Sequence, residues 1–142
     1  MAKDVAVGNF DPKGVAQIFY FGDDDNYWQV IQDIYTTTYP EQTFDFKSHF
    51  KKREKEILKP FVELLEKKPC VVYVDSSIQG KAHLKLAKMI TTNPHFEHTA
   101  VVGLVESSEA ALVAKSGGFD FIYVKCAEYH DAVYGPYVYT FP

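Results

Sequence analysis

The chain has 142 residues, 46% hydrophobic and 15% aromatic, enough for one domain with a substantial core and too few for two. Its net charge of -4 leaves no electrostatic footprint for nucleic acid or an anionic membrane. Residues 1–14 contain no basic segment followed by an apolar run, and no stretch approaches the ~20 apolar residues that span a bilayer. We therefore expect a cytoplasmic protein without a membrane or nucleic-acid partner. Its cysteines, Cys70 and Cys126, are predicted to be buried, reduced thiols.

The first part of the chain alternates short apolar runs with longer segments of helical period, which is typical of parallel βαβ units. Residues 15–21 form a nearly continuous apolar strand, suited to burial on both faces. Trp28, Ile31 and Tyr35 then fall on one face of a helix, and Pro40 predicts the end of that helix.

A short strand and a charged helix follow. Residues 42–46 alternate in strand period, with Phe44 and Phe46 on one side. Residues 50–68 are highly charged and have a helical period, within which Pro60 predicts a kink or a restart. Four apolar side chains are expected to form the buried face of this helix: Leu58, Phe61, Leu64 and Leu65.

The remainder of the chain contains the patterns of three more strands, predicted at residues 71–74, 99–105 and 121–124. A helix is predicted over residues 80–92, with Leu84, Ala87 and Ile90 facing inward. A shorter helix begins at a serine cap, Ser107 or Ser108. The glycine pair at residues 117–118 is expected to close it, because glycine enters the left-handed conformation without steric cost.

The end of the chain does not fit a regular fifth βα unit. After the fifth strand only residues 126–133 are predicted to be helical, because Gly135 and Pro136 are expected to stop the helix, which would be short or replaced. Residues 137–141 alternate in strand period and, if exposed, would form an unpaired edge strand that favours pairing with another chain. The predicted division is a tail at 1–14, a domain at 15–133 and a tyrosine-rich extension or start of a linker at 134–142.

Two explanations of residues 134–142 stay open. In the first, this segment packs on its own domain or on a second copy of the chain, and we then expect a homodimer that deletion of residues 134–142 would disrupt. In the other explanation, the chain is the N-terminal piece of a longer protein cut near a linker.

Three predicted strands end in charged residues: the first runs into Asp23, Asp24 and Asp25, the third into Asp75, and the fifth into Lys125. In a flavodoxin-like α/β sandwich, whose five-stranded parallel sheet has the order 2-1-3-4-5, ligands bind at the carboxyl ends of the strands, between strands one and three. Crowded carboxylates repel each other there, and Mg²⁺ with oxygen ligands relieves that repulsion. The pattern predicts a pocket for Mg²⁺ and a phosphoryl group.

A plainer interpretation exists for each part of this pattern. The three consecutive aspartates could be an N-cap cluster that the dipole of the next helix stabilises. Lys125 alone could be a solvated strand end. The occurrence of Asp75 and Lys125 at matching strand ends favours the pocket.

In combination these features resemble the receiver domain of two-component response regulators, a CheY-like domain. The resemblance covers about residues 16–126 and rests on five elements in chain order: the acid pair after strand one, Asp75 after strand three, residues 93–96 before strand four, the glycine pair before strand five, and Lys125 after it.

In that family a histidine kinase, a phosphotransfer protein or a small phosphodonor phosphorylates the strand-three aspartate, and the strand-one acids hold Mg²⁺. By position, the resemblance implies Asp75 as the phosphoacceptor and Lys125 as the cation that contacts phosphate. It implies Asp23, Asp24, Asp75 and the backbone carbonyl of Ser77 as the ligands of Mg²⁺. A pair of strand-one acids that includes Asp25 is the alternative.

The chain departs from the usual receiver pattern near the phosphate site. Val105 takes the place of a Ser or Thr whose hydroxyl follows the phosphoryl group, and the aromatic partner of that hydroxyl would fall near Ile122, with Tyr123 beside it. Cys126 takes the place of a proline that typically follows the lysine. The resemblance therefore implies an atypical receiver, in which switching by phosphate is the open question.

Three functions are compatible with these patterns. The first is a receiver phosphorylated on Asp75 in a Mg²⁺-dependent step that signals through a downstream protein partner, with no enzyme activity beyond its own phosphotransfer and dephosphorylation. The second is a pseudo-receiver that docks proteins without phosphate switching. The third is a haloacid-dehalogenase-like phosphatase, because Asp23 and Asp25 resemble its nucleophile and acid pair.

Overall fold

The computed structural model describes residues 14–50, 58–67, 69–78 and 81–140. Strands and helices alternate along them. The strands are β1 (Val15–Gly22), β2 (Thr43–Phe50), β3 (Val71–Asp75), β4 (Ala100–Val105) and β5 (Phe121–Val124). The helices are α1 (Asp25–Thr38), α2 (Leu58–Leu64), α3 (Ala82–Thr91), α4 (Ser108–Ala114) and α5 (Asp131–Thr140). None of these helices combines the length and apolar character needed to cross a membrane.

The five strands form one parallel sheet in the order β2-β1-β3-β4-β5. This order confirms the predicted flavodoxin-like architecture. The order reverses between β1 and β3, so the carboxyl ends of these two central strands border the crevice where such folds bind ligands. In register, Asp75 of β3 lies beside Leu104 of β4, and Val105 lies beside Val124 of β5.

Helices cover both faces of the sheet, and the two resulting cores differ in composition. Side chains alternate across each strand. The side packed on α2, α3 and α4, here called the apolar face, contains Phe19, Phe21, Phe61, Leu64, Val72, Val74, Ile78, Ala82, Leu86, Ala87, Ile90, Phe96, Val101, Val105, Ala114 and Phe119. The side packed on α1 and α5, here called the tyrosine face, contains Ile18, Tyr20, Tyr27, Trp28, Ile31, Tyr35, Val71, Tyr73, Ala100, Val102, Leu104, Ala132 and Val133.

Most helix predictions agree with the structure. The predicted face of α1 is buried, and the helix ends before Pro40. In α3 the residues Ala87 and Ile90 are buried as expected, but Leu86 completes the face in place of the partly buried Leu84. The Ser107 side chain caps α4 by accepting a hydrogen bond from the backbone N–H of Ala110 at 3.1 Å.

The glycine pair after α4 also behaves as predicted. A 3₁₀ turn over Lys115–Gly117 leads to Gly118, whose φ of 85° is left-handed. The predicted helix over residues 50–68 needs correction at its start, because β2 continues to residue 50. Residues 51–57, 68 and 80, which belonged to predicted helices, lie outside the described residues, as does residue 79.

The prediction for the end of the chain is wrong. Helix α5 has ten residues and passes through Gly135 and Pro136, so residues 137–140 are helical. Proline has no N–H to donate to the carbonyl four residues earlier, which here belongs to Ala132. The hydroxyl of Tyr73 donates to that carbonyl instead, at 2.6 Å. A hydrogen bond from the sheet thus replaces the one that the helix lacks.

Residues 134–140 pack on their own domain. The ring of Tyr137 stacks on Tyr39 with 3.5 Å between centroids, and Tyr139 meets Phe121 edge to face at 5.4 Å. The boundary predicted between residues 133 and 134 therefore falls inside α5.

Candidate functional site

The carboxyl ends of four strands bring one lysine and three acids together. The Lys125 ammonium lies 2.5 Å from Oδ2 of Asp24, 3.1 Å from Oδ2 of Asp75 and 3.1 Å from Oε1 of Glu106. It also lies 5.3 Å from the centroid of the Tyr27 ring. Lys125 is 5% exposed and Asp75 is 0% exposed, so solvent screens their attraction little.

The carboxylate of Asp75 has hydrogen-bond donors on both oxygens. Oδ2 accepts from the hydroxyl of Tyr20 at 2.7 Å, and Oδ1 accepts from the backbone N–H of Ser77 at 2.9 Å and from Lys125 at 3.2 Å. Burial nevertheless raises the pKa of Asp75 above its usual value, because it outweighs the opposing effect of Lys125 and these hydrogen bonds. Burial of the Asp75 carboxylate therefore carries a desolvation penalty that its partners do not fully offset.

Asp24 is both the N-cap of α1 and an ion-pair partner of Lys125. Its Oδ1 caps α1 by accepting from the backbone N–H of Tyr27 at 3.1 Å, while its Oδ2 pairs with Lys125. Partial burial pushes the pKa of Asp24 up, but the hydrogen bonds from Lys125 and Tyr27 outweigh it and hold that pKa below its usual value. Asp24 is therefore an ionised partner of Lys125 at neutral pH.

The neighbouring acids stand apart from this cluster. Asp23 and Asp25 are exposed, and neither forms an ion pair with Lys125 in the part of the chain that the structure describes. The backbone N–H of Asp23 donates to the side-chain oxygen of Ser77 at 2.7 Å, which ties the turn after β1 to the loop after β3.

Sequence reasoning missed three residues of the site. Glu106 directly follows β4, so the argument that parallel strands end at one edge could have found it. Tyr27 and Tyr20 carry no such signal, because the chain has ten tyrosines and only the folded chain distinguishes these two. Val105 is buried within the apolar face, on the opposite side of the sheet from Leu104.

A cleft of about 270 Å³ opens beside the cluster. It is lined by Asp24, Asn26, Tyr27, Val30, Glu106, Lys125, Cys126 and Tyr129. The rings of Tyr27 and Tyr129 stack on one another with centroids 5.3 Å apart. Cys126 is exposed, so its predicted burial is wrong. Asp75 lies behind these residues and does not line the cleft.

The carboxylates and net charge of the cluster are of the kind that attract a hard divalent cation, but within the described residues the cluster is not arranged as a metal site. Three carboxylates around one ammonium leave an excess of two negative charges when all four groups are ionised. Among the described residues, no group of three or more His, Cys, Asp or Glu side chains is arranged to hold a metal. The ammonium of Lys125 lies between the acids, so a cation would have to share Asp24 and Asp75 with it.

No protein-family model matches the sequence, and no curated protein matches it either. Solved structures do match. The signal receiver domain of a two-component histidine kinase from Clostridium thermocellum has 12% identity and a TM-score of 0.68, over 89% of this chain and 98% of that one. The BeF3-activated receiver domain of DrrB from Thermotoga maritima has 16% identity and a TM-score of 0.63, over 89% and 97%.

A third match is the phosphorylated cyanobacterial phytochrome response regulator RcpA, with 14% identity and a TM-score of 0.61 over 87% of this chain and 89% of that one. At such identities the likeness is one of fold. It agrees with the strand order and with helices on both faces of the sheet. The chain therefore has the CheY-like fold of response-regulator receiver domains.

Proposed function

We propose that the chain is an atypical response-regulator receiver, phosphorylated on Asp75 in a Mg²⁺-dependent step and signalling through a protein partner. The observation that supports it best is the pairing of buried Asp75 with Lys125 at the carboxyl edge of a receiver fold. A histidine kinase or a phosphotransfer protein would supply the phosphoryl group, and a downstream protein would bind the altered domain. Any catalysis is limited to the domain's own phosphotransfer and dephosphorylation.

In the transfer step an oxygen of Asp75 attacks the phosphorus of the donor. An O–P bond forms, the bond from phosphorus to the leaving group breaks, and the leaving group departs with that electron pair. Lys125 reaches both oxygens of Asp75 and offsets the charge of the phosphoryl oxygens. Because Asp75 is 0% exposed, the cleft beside Lys125 has to open for the donor to enter.

Bound Mg²⁺ supplies positive charge that stabilises the oxygens of a transferring phosphoryl group. We propose Asp23, Asp24, Asp75 and the backbone carbonyl of Ser77 as the groups that would hold it. Asp24 already borders the cleft, and the backbone of Asp23 is tied to Ser77.

Phosphorylation can be tested by incubating the protein with acetyl phosphate and Mg²⁺ and measuring its intact mass. We expect one added phosphoryl group, lost in Asp75→Asn and on removal of Mg²⁺ by chelation. Asp33→Asn, which changes an exposed acid of α1, is the matched control and should be phosphorylated normally. A wild-type protein that stays unmodified would contradict the proposal.

A docking module without phosphate switching is the second candidate. It is favoured by the complete burial of Asp75, whose oxygens already have donors, and by the absence of a hydroxyl at Val105. A folded protein that binds its partner equally well with Asp75→Asn would support it. The phosphatase alternative finds no support in this site, because exposed Asp23 and Asp25 lie outside the Lys125 cluster.

A homodimer is a separate proposal. It is supported by α5, which leaves Tyr134 49% and Val138 58% exposed on one side of the domain. Light scattering should then show a dimer that Val138→Asp dissociates. A wild-type monomer at all concentrations would contradict it.

A further inference from the structure

The hydroxyl of Tyr20 is a buried junction between the ends of two strands. It donates to Oδ2 of Asp75 at 2.7 Å and accepts from the backbone N–H of Asp24 at 3.0 Å. A phenolic hydroxyl has one proton to donate and two lone pairs, so these two partners use its proton and one lone pair.

The close approach of this hydroxyl to Asp75 depends on Gly22. A Cβ atom at position 22 would overlap the Tyr20 hydroxyl and would lie 2.6 Å from Cβ of Asp75. Real Cβ atoms essentially never come that close to another heavy atom. Only glycine at this position therefore leaves space for the hydrogen bond between Tyr20 and Asp75.

The ring of Tyr20 connects the same hydroxyl to α1. It stacks on Trp28 with 5.1 Å between centroids and 17° between planes, and Trp28 is 3% exposed within the tyrosine face. Protein interiors are close-packed, so a ring held between two buried groups cannot shift without moving its neighbour. A change at Asp75 that alters the position of Tyr20 should therefore reach Trp28.

We infer that Tyr20 is a positioning residue that holds Oδ2 of Asp75 and couples the state of this carboxylate to α1 through Trp28. Loss of the carboxylate charge, by substitution or by formation of an acyl phosphate, makes the oxygens of Asp75 weaker acceptors. The bond from Tyr20 then weakens, and its ring moves against Trp28. The effect expected from an acyl phosphate rests on the proposed function, whereas the effect expected from a substitution of Asp75 does not.

Trp28 is the single tryptophan of the chain, so its fluorescence reports on this coupling directly. The emission spectrum and acrylamide quenching would be compared for the wild type, Asp75→Asn, Tyr20→Phe and the double variant. We expect Asp75→Asn to change both readouts in the wild-type background and to change them severalfold less in the Tyr20→Phe background. An unchanged spectrum on Asp75→Asn, or an equal change in both backgrounds, would overturn the inference.

Two further variants separate this coupling from a general loss of packing. Tyr35→Phe removes a buried hydroxyl of α1 itself, one that pairs with Tyr73 of β3 at 2.7 Å, and should leave the effect of Asp75→Asn on Trp28 intact. Gly22→Ala retains the Tyr20 hydroxyl but displaces it, and should abolish the effect as Tyr20→Phe does. If Tyr35→Phe abolishes it equally, Tyr20 has no special role and the inference fails.

Phosphorylation provides the second arm, with intact mass and fluorescence measured on the same sample. The Trp28 response is expressed per phosphorylated molecule, with the phosphorylated fraction of each variant taken from its mass, and we expect it to be severalfold smaller in Tyr20→Phe than in the wild type. An undiminished response in phosphorylated Tyr20→Phe would overturn the inference. If the wild type is not phosphorylated, the proposed function fails, and the substitution arm still decides the role of Tyr20.

Discussion

The two faces of the sheet are held together in different ways. Within the described residues, the buried core of the apolar face consists of side chains without hydrogen-bonding groups and contains no tyrosine. Eight of the ten tyrosines pack within or against the tyrosine face. There, the hydroxyls of Tyr20, Tyr35 and Tyr73 are buried and hydrogen-bonded.

This difference bears on where the candidate site lies. Val71, Tyr73 and Asp75 alternate toward the same side of β3, so the site continues the tyrosine face. Hydrogen bonds are directional, whereas apolar contacts depend mainly on area and volume. Burial raises the pKa of Tyr20 and Tyr73, so both hydroxyls stay protonated and can donate. Packing on the apolar face therefore contributes mainly to the overall stability of the fold, whereas hydrogen bonds on the tyrosine face set the orientation of groups near Asp75.

The largest predicted effect comes from removing the cation at the edge of the tyrosine face. Lys125→Met would leave the carboxylate of Asp75 buried without its counter-charge, and we expect a loss of about 3 kcal/mol in the free energy of unfolding. Urea denaturation at neutral pH measures it. Adding Asp75→Asn should recover most of the loss, and exposed Lys115→Met should cost less than about 0.5 kcal/mol. No recovery in the double variant would contradict this account.

Removing a single oxygen atom from the tyrosine face should lower the free energy of unfolding more than a change of side-chain shape on the apolar face. Tyr73→Phe leaves the Ala132 carbonyl without its donor, and we expect a loss of about 2 kcal/mol. Ile90→Leu, which conserves volume, should cost less than about 1.5 kcal/mol. Both losses can be read from thermal or urea unfolding.

The role of Pro136 provides a check on this explanation. Pro136→Ala supplies an N–H that can bond to the Ala132 carbonyl. This substitution should therefore stabilise the Tyr73→Phe variant by about 1 kcal/mol more than it stabilises the wild type. Equal effects in both backgrounds would show that the Tyr73 hydroxyl does not compensate for the proline.

A smaller effect is expected where α5 crosses β5. Gly→Ala in a helix normally stabilises by about 1 kcal/mol, but a Cβ atom at Gly135 would overlap the Tyr123 hydroxyl. We expect Gly135→Ala to destabilise the wild type by about 1 kcal/mol. The loss should largely disappear in the Tyr123→Phe background, as measured by a double-mutant cycle. A loss of the same size in both backgrounds would mean that the backbone, and not the hydroxyl, excludes a side chain there.

The smallest effect is a pH dependence of opposite sign for the two aspartates that share Lys125. The raised pKa of Asp75 contributes relative stability at pH below about 3.9, which is lost as pH rises through its folded value. The lowered pKa of Asp24 contributes stability above about 3.9, which is lost as pH falls through its folded value.

Urea unfolding from acidic to neutral pH tests this contrast. Relative to the wild type, Asp75→Asn should gain stability as pH rises, and Asp24→Asn should lose it. Asparagine retains the N-cap of α1, so the second variant isolates the charge of Asp24. The same sign for both variants would contradict the assigned environments.

Local patterns in the sequence were sufficient for most of the fold. Apolar runs located four strands, and the alternation of residues 42–46 located the start of β2. The breaks after the apolar runs located Asp24, Asp75 and Lys125 at one edge. Glu106 was within reach of the same reasoning. Tyr20 was not, because its role depends on which hydroxyl meets Asp75 after β1 and β3 have paired.

Strand periodicity and a serine cap for α4 at Ser107 or Ser108 are properties of neighbouring residues, and the sequence alone determined them. The structure then selected Ser107. The course of α5 was decided by tertiary structure. Gly135 and Pro136 disfavour a helix locally, with proline alone costing about 3 kcal/mol in a helix interior. The folded sheet places the Tyr73 hydroxyl at the carbonyl that Pro136 leaves unpaired, and Tyr137 against Tyr39. Contacts between residues far apart in the chain thus outweighed the local preference, and no local pattern contains them.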